Sequence, residues 1–283
     1  MINQYIVIKL FLILLFMPSL STGQIDELDE QADAFLRNNK LDSKDDRGAI
    51  TYYTKLIELN SNSSNNYFNR GLHKANLKDY IGAINDFTKT IELRYDNNDS
   101  IRAWDAYGHR GVCKIQLEDY EGAISDFSKV IELNPKNSSA YGNRGIAKGM
   151  IGDDRGAISD YTKVIEINPN DENAYRNRGI CKANLEDYRG ALSDYTKVIE
   201  INPNDENDYR NRGIFKAYVQ DYNGSILDFS KAIEINPNYD KAYFQRGVSK
   251  WRLKQFESAC KDWRKAEELG HPTASNEIRK LCN

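Results

Sequence analysis

Cysteine, proline, histidine and tryptophan are all scarce in this chain of 283 residues, at 4, 6, 3 and 3 respectively. So few cysteines exclude a disulfide-dense miniature scaffold. The three histidines, His73, His109 and His271, lie far apart in sequence and leave little room for histidine-rich metal chemistry. Neither sign of charge dominates: 39 Lys and Arg face 42 Asp and Glu, a formal net charge of −3. That balance argues against a general nucleic-acid or membrane-surface binder, though not against a local patch. Beyond Gly23 no apolar run is long enough to span a bilayer. Phosphate-loop, dinucleotide, zinc-protease and nucleophile-elbow motifs are all missing. What remains is a foldable soluble composition, 40% hydrophobic and 29% charged.

The opening segment stands apart. Lys9 is the only charge between Met1 and Gly23, and Leu10 to Met17 is almost continuously apolar. Pro18, Ser19, Leu20, Ser21, Thr22 and Gly23 follow. This order of charge, apolar stretch and small residues predicts an export signal over residues 1–23, cut before Gln24. The competing reading is an uncleaved anchor, for which the apolar core is short.

The rest of the chain repeats itself. Tyr141, Tyr175 and Tyr209 each open Tyr-x-Asn-Arg-Gly-Ile, and the spacing of 34 extends to Tyr107 and Tyr243. Gly111, Gly145, Gly179, Gly213 and Gly247 keep the same period, as do Pro135, Pro169, Pro203 and Pro237. Within a unit the apolar residues fall three and four apart, in two stretches such as 175–185 and 188–201. That predicts two helices per unit. Asn202 precedes Pro203 and so ends the second helix. Asp205 or Asn204 is placed to cap the next one.

These features resemble the tetratricopeptide repeat (TPR) family, whose pattern appears here as Tyr175, Gly179, Ala191, Tyr195, Val198 and Pro203. The resemblance implies an all-α solenoid of antiparallel helix pairs, wound as a right-handed superhelix. Seven units are expected, at about 30–63, 64–103, 104–137, 138–171, 172–205, 206–239 and 240–273, with a capping helix in 274–283. The first is degraded, with Arg37 in the glycine position. The second is six residues too long, the surplus lying between Asp96 and Arg102. That stretch has the opening of a calcium loop, but Ile101 and Tyr107 stand where glycine and glutamate are needed. It reads better as an insertion that lengthens the next helix or projects into the groove.

Two columns of opposite charge keep the repeat period: Arg110, Arg144, Arg178, Arg212 and Arg246 against Asp126, Asp160, Asp194, Asp228 and Asp262. They predict a ladder of contacts within or between units. By the resemblance, the first helix of each unit lines a concave groove. Its sixth position holds Asn69, His109, Asn143, Asn177, Asn211 and Gln245. Such a row either grips the backbone of an extended peptide, since carboxamides donate and accept, or is a solvated polar stripe. At the C-terminal end the groove would add Arg176, Arg210, Tyr218, Phe244, Trp251 and Arg252. Arginine beside aromatics is the mixture enriched in interface hot spots. Trp251 also fits a core position. The clamp with which some family members hold a peptide's terminal carboxylate is not matched, because the ninth position is Leu72, Val112, Ile146, Ile180, Ile214 and Val248.

Cys113 and Cys181 are separated by a whole unit and read as small core residues. Cys260 and Cys282 form either a disulfide stapling the last helices or two buried thiols. The ending around them resembles that of exported TPR proteins of Bacteroidetes-type bacteria. The functional expectation is an exported, non-enzymatic scaffold without cofactor or metal, periplasmic, envelope-bound or secreted. It would bind a protein or peptide segment and no nucleic acid. The rivals are an envelope accessory that binds or helps process glycan, signalled by an acidic pair beside Trp251, and a self-assembly module.

Overall fold

The computed structural model describes residues 46–95 and 100–282. The expected export signal, the first helix of the degraded first unit and residues 96–99 of the insertion lie outside them. Among the described residues all regular structure is helical. Helix α1 (Asp46–Leu59) is the second helix of the first unit. Then come the pairs α2 (Ser64–Asn76) and α3 (Tyr80–Tyr95), α4 (Ser100–Gln116) and α5 (Tyr120–Leu133), and α6 (Ser138–Met150) and α7 (Asp154–Ile167). They are followed by α8 (Glu172–Asn184) with α9 (Tyr188–Ile201), α10 (Glu206–Tyr218) with α11 (Tyr222–Ile235), and α12 (Asp240–Arg252) with α13 (Phe256–Glu268). The short α14 (Ala274–Leu281) comes last. The insertion does lengthen its neighbour: α4 has 17 residues where α8 has 13.

The chain divides into two compact bodies, one ending at Ala140 and the other beginning at Tyr141. In the first, α1 to α5 pack each on the next; in the second, α7 to α14 do the same. Each body is a stack of antiparallel helix pairs.

Within a pair, glycine decides how near the two helices come. A Cβ at Gly179 would sit 2.9 Å from the Tyr195 ring, and one at Gly213 would sit 2.9 Å from Phe229. Real Cβ atoms do not come so close, so the aromatic of the second helix lies directly on the first helix's backbone. Gly in a helix interior costs about 1 kcal/mol relative to Ala, and burial of a whole ring offsets it. Tyr195, Phe127 and Phe229 are all fully buried.

The second helices start by a device the periodicity did not reveal. Asp119, Asp153, Asp187 and Asp221 each cap one, accepting the N–H of Gly122, Gly156, Gly190 and Gly224 at 2.9–3.0 Å. A Cβ at Gly156 would lie 2.7 Å from the Asp153 carboxyl carbon, so the capping acid demands the glycine. In the last unit both are replaced together, by Gln255 and Ser258, and α13 has no side-chain cap.

The two charge columns do form a ladder, and it lies mainly within units. Arg178 Nη2 meets Asp194 at 2.6 Å and Arg212 Nη2 meets Asp228 at 2.7 Å, with the same bond in Arg70–Asp86, Arg110–Asp126, Arg144–Asp160 and Arg246–Asp262. Every acid takes a second cation, such as Lys182 on Asp194 and Lys216 on Asp228, both at 2.8 Å. Each arginine also lies over the tyrosine three residues before it, Arg178 on Tyr175 at 5.5 Å. The link between units is a hydroxyl: Arg178 Nη1 donates to Thr162 at 3.1 Å, and Arg246 Nη1 to Ser230 at 3.0 Å.

Cys260 and Cys282 are joined by a disulfide that ties α13 to the residue following α14. Cys113 and Cys181 are free and buried. Burial pushes their thiols up to about 11 and about 12, which suits core filler and not reactive groups. The bridge closes a separation of 22 residues. A loop of that size contributes about 3 kcal/mol by restricting the unfolded chain. Reduction is therefore expected to release α14 alone: amide exchange over Ala274–Leu281 should speed up while α8 to α11 keep their protection. Exchange in α14 that ignores reductant would show that packing, not the bridge, holds it.

Candidate functional site

The first helices present the residues that differ from unit to unit. Of the sixth-position row, Asn69, Asn143, Asn177, Asn211 and Gln245 are half-buried and His109 is exposed. The row does not act as one ladder. The Asn211 amide donates to the Tyr195 hydroxyl at 3.2 Å, tying α10 to α9. His109 uses its ring instead, stacking on Phe87 at 5.7 Å and meeting Phe68 edge-on at 5.6 Å. Surrounding protein holds its imidazole below the ordinary histidine range, and Asp105 opposes that in part.

The residues expected at the C-terminal end of the groove separate into several contacts. Arg176 is already occupied. Its Nε and one Nη hold the carboxylate of Asp208 at 2.9 and 2.8 Å, its other Nη donates to Asn173 at 2.9 Å, and Glu172 completes the cage. Asp208, and with it Glu172, holds the guanidinium charged. Tyr218 lies flat on Tyr188 with centroids 4.3 Å apart and stays 59% exposed. Phe244 stacks on His271 at 4.1 Å. Trp251 is half-buried between Phe256 at 4.4 Å and Trp263 at 5.6 Å, so it belongs to both surface and core. Arg252 is exposed. Arg210 makes one long bond, Nη1 to Asn211 Oδ1 at 3.4 Å, and its Nε is buried without a partner.

Several contributors were not read from the sequence: Asp208, Tyr188, His271 and Phe256. Asp208 had a signal. It is the acid in a column that is otherwise Ala106, Ala140, Ala174 and Ala242, with Asn66 in the second unit. It is only 1% exposed.

A second feature of this face is apolar. Ile146 and Ile180, at the ninth position of successive first helices, are 39% and 43% exposed. Met150, Ile151 and Leu185, about one turn further on, are exposed as well. Among the described residues no three His, Cys, Asp or Glu side chains are disposed to hold a metal. No described helix is long and apolar enough to cross a membrane.

The class this architecture defines is the TPR fold. A tetratricopeptide repeat model matches residues 104–137 and 172–205, the third and fifth units. No curated protein matches the chain. Among solved structures, a tetratricopeptide repeat protein from Parabacteroides merdae is 18% identical, over 92% of this chain and 100% of that one, with a TM-score of 0.59. The C-terminal part of a TPR protein from Cytophaga hutchinsonii is 19% identical over 75% and 83%, with a TM-score of 0.62. YrrB, described as a TPR protein with an unusual peptide-binding site, is 24% identical over 72% and 97%, with a TM-score of 0.58. Similarity at this level establishes the fold.

Proposed function

We propose that the protein is an interaction scaffold that binds an extended segment of another protein on the face of its first helices, acting by recognition and without catalysis. The observation that carries this is the exposure of Ile146 and Ile180 at one register position. The recurring parts of the repeat serve the fold: the Asp of the Arg–Asp–Lys cluster and the aromatic of the Gly–aromatic contact are buried, and the exposed Asp–Gly cap starts the second helices. A surface with no partner would carry polar residues at the ninth position, as the repeat does at exposed Lys197 and Glu200. Branched aliphatics beside half-buried carboxamides give apolar anchoring together with backbone hydrogen bonds. The peptide-binding site ascribed to YrrB is consistent with this reading. We place the protein outside the cytoplasm. Support comes from the signal-like composition of residues 1–23 and from the Cys260–Cys282 bridge, a bond kept in oxidising compartments.

The test is affinity capture from an extract of the source cells, with the full chain as bait. An Ile146→Asp/Ile180→Asp variant with unchanged circular dichroism runs beside it. Any groove partner is expected to fall at least about tenfold, since two charges would be set into an apolar contact. A partner held equally by both baits would move binding off this face.

A further inference from the structure

Tyr188 opens α9 and Tyr218 closes α10, so the two meet where the fifth unit joins the sixth. The same two register positions, 30 residues apart, carry a hydrogen bond elsewhere. The Asn184 amide donates to Asp154 at 3.0 Å, and the Asn76 amide to Asp46 at 3.3 Å. At this one joint the polar pair gives way to two phenols lying face to face, with centroids 4.3 Å apart and planes within 5°. The stack sits at the surface: Tyr218 is 59% exposed and Tyr188 half-buried. Other tyrosines are held differently. Tyr175 and Tyr209 lie under arginines, Tyr161 and Tyr195 are buried, and Tyr52 meets Tyr53 edge-on inside the core.

Two phenols this close share one reaction. Loss of an electron and a proton leaves a phenoxyl radical, whose spin spreads onto the ring carbons beside the oxygen-bearing carbon, the Cε atoms. Two adjacent radicals join through those carbons. Each ring then passes the hydrogen of its joined carbon to its oxygen, which restores both hydroxyls. One C–C bond forms, two hydrogens leave in all, and one hydrogen peroxide takes them up as two waters. Holding the rings together turns an encounter between molecules into a step within one. The new bond also requires the rings to turn out of parallel. Tyr218, last in its helix and mostly in solvent, has the room to turn.

We propose that Tyr188 and Tyr218 are a site of oxidative coupling, joined as dityrosine by hydrogen peroxide and a haem peroxidase into a covalent staple between the fifth and sixth units. The Cys260–Cys282 bridge speaks for the oxidising surroundings that this reaction needs. The staple would close 30 residues, against 22 for the disulfide, and would restrict the unfolded chain in the same way. It fixes the middle of the second body as the disulfide fixes its end. The proposal stands apart from the reading of Ile146 and Ile180.

The full chain is treated with hydrogen peroxide and a haem peroxidase, and its monomer fraction is digested and mapped by mass spectrometry. A peptide pair holding Tyr188 and Tyr218, lighter by two hydrogens and fluorescing as dityrosine, is expected to exceed every other tyrosine pair at least about tenfold. Its yield should not change with protein concentration, because the step is internal. Tyr218→Phe keeps the ring, and with it the stack and the fold, but lacks the phenolic oxygen and should abolish the product. Tyr222→Phe, at the start of α11, should leave it unchanged. Chain unfolded in urea should couple without this preference. In the stapled chain, amide exchange should slow across α9 and α10. Coupling mostly between copies, rising with concentration, overturns the proposal, as does coupling spread evenly over the tyrosines. So does an unreacted pair in a chain whose exposed Met150 has become sulfoxide, since the oxidant had then arrived. None of these results bears on capture through Ile146 and Ile180.

Discussion

Replacing Asp194 by Ala is expected to destabilise the second body by about 3 kcal/mol or more, among the largest losses any single side chain here would give. The acid is 2% exposed and holds two cations, Arg178 at 2.6 Å and Lys182 at 2.8 Å. Removing it leaves both cations partly buried and facing each other. Arg178 would also lose the anchor that aims it at Thr162 and across Tyr175. The contact between α7 and α8 should then weaken along with the pair α8–α9. Because Arg178 and Lys182 keep some access to water, the loss should fall toward the lower end of the range for a broken buried pair. Asp194→Asn keeps the shape and removes only the charge, so its share of the loss isolates the ionic part. The surface pair Lys197–Glu200 supplies the control: Glu200→Ala should leave urea unfolding unchanged. A midpoint for Asp194→Ala that coincides with that of Glu200→Ala would mean that the ladder is ornamental and the aromatic contacts hold the units together.

How much of this was legible depends on whether a residue obeys the period. Gly179, Tyr195, Arg178 and Asp194 recur every 34 residues, so their types alone announce helix pairs, close packing and paired charge. The Lys182 column recurs just as strictly and carried the second half of the ladder, but lysine on a helix reads equally well as solvated surface. The Asp–Gly cap was encoded as a pair of columns. Its meaning emerges only where both fail together, at Gln255 and Ser258. The candidate site was harder to read because it is made of exceptions. A register position says which face Arg176 occupies but not which way its side chain turns. The turn is set by Asp208, 32 residues away and alone in its column. The sixth-position asparagines were read as a row because they are alike. Asn211 is drawn aside by the Tyr195 hydroxyl, whereas Phe127, at the same place before Asn143, has none.

The C-terminal unit should respond differently from the middle of the stack. Trp263 is 1% exposed and replaces the Phe or Tyr found at this position elsewhere, namely Phe87, Phe127, Tyr161, Tyr195 and Phe229. Its ring presses on Gly247, where a Cβ would come within 2.6 Å of the indole nitrogen, and that nitrogen donates to the Phe244 carbonyl at 3.2 Å. Trp263→Ala is expected to cost about 3–5 kcal/mol, because the cavity is large and lies against Phe244, Gly247 and Trp251 of α12. In a stack where each unit touches only its neighbours, a loss at the end is met by local opening. Exchange should therefore accelerate over α12 to α14, the last two of which the Cys260–Cys282 bridge ties together, while α8 to α10 hold. Trp263→Phe adopts the ring of the other units and should cost far less, about 1 kcal/mol, mainly for the lost indole hydrogen bond, since the Phe244 carbonyl keeps its bond within the helix. The comparison also bears on recognition. Phe244 and Trp251 both rest on Trp263 or its hydrogen bond, so Trp263→Ala should disturb the aromatic end of the first-helix face as well. If Trp263→Ala instead unfolded the whole second body in one transition, the units would be cooperatively locked, and the end could not serve as an independently adjustable part of the binding surface.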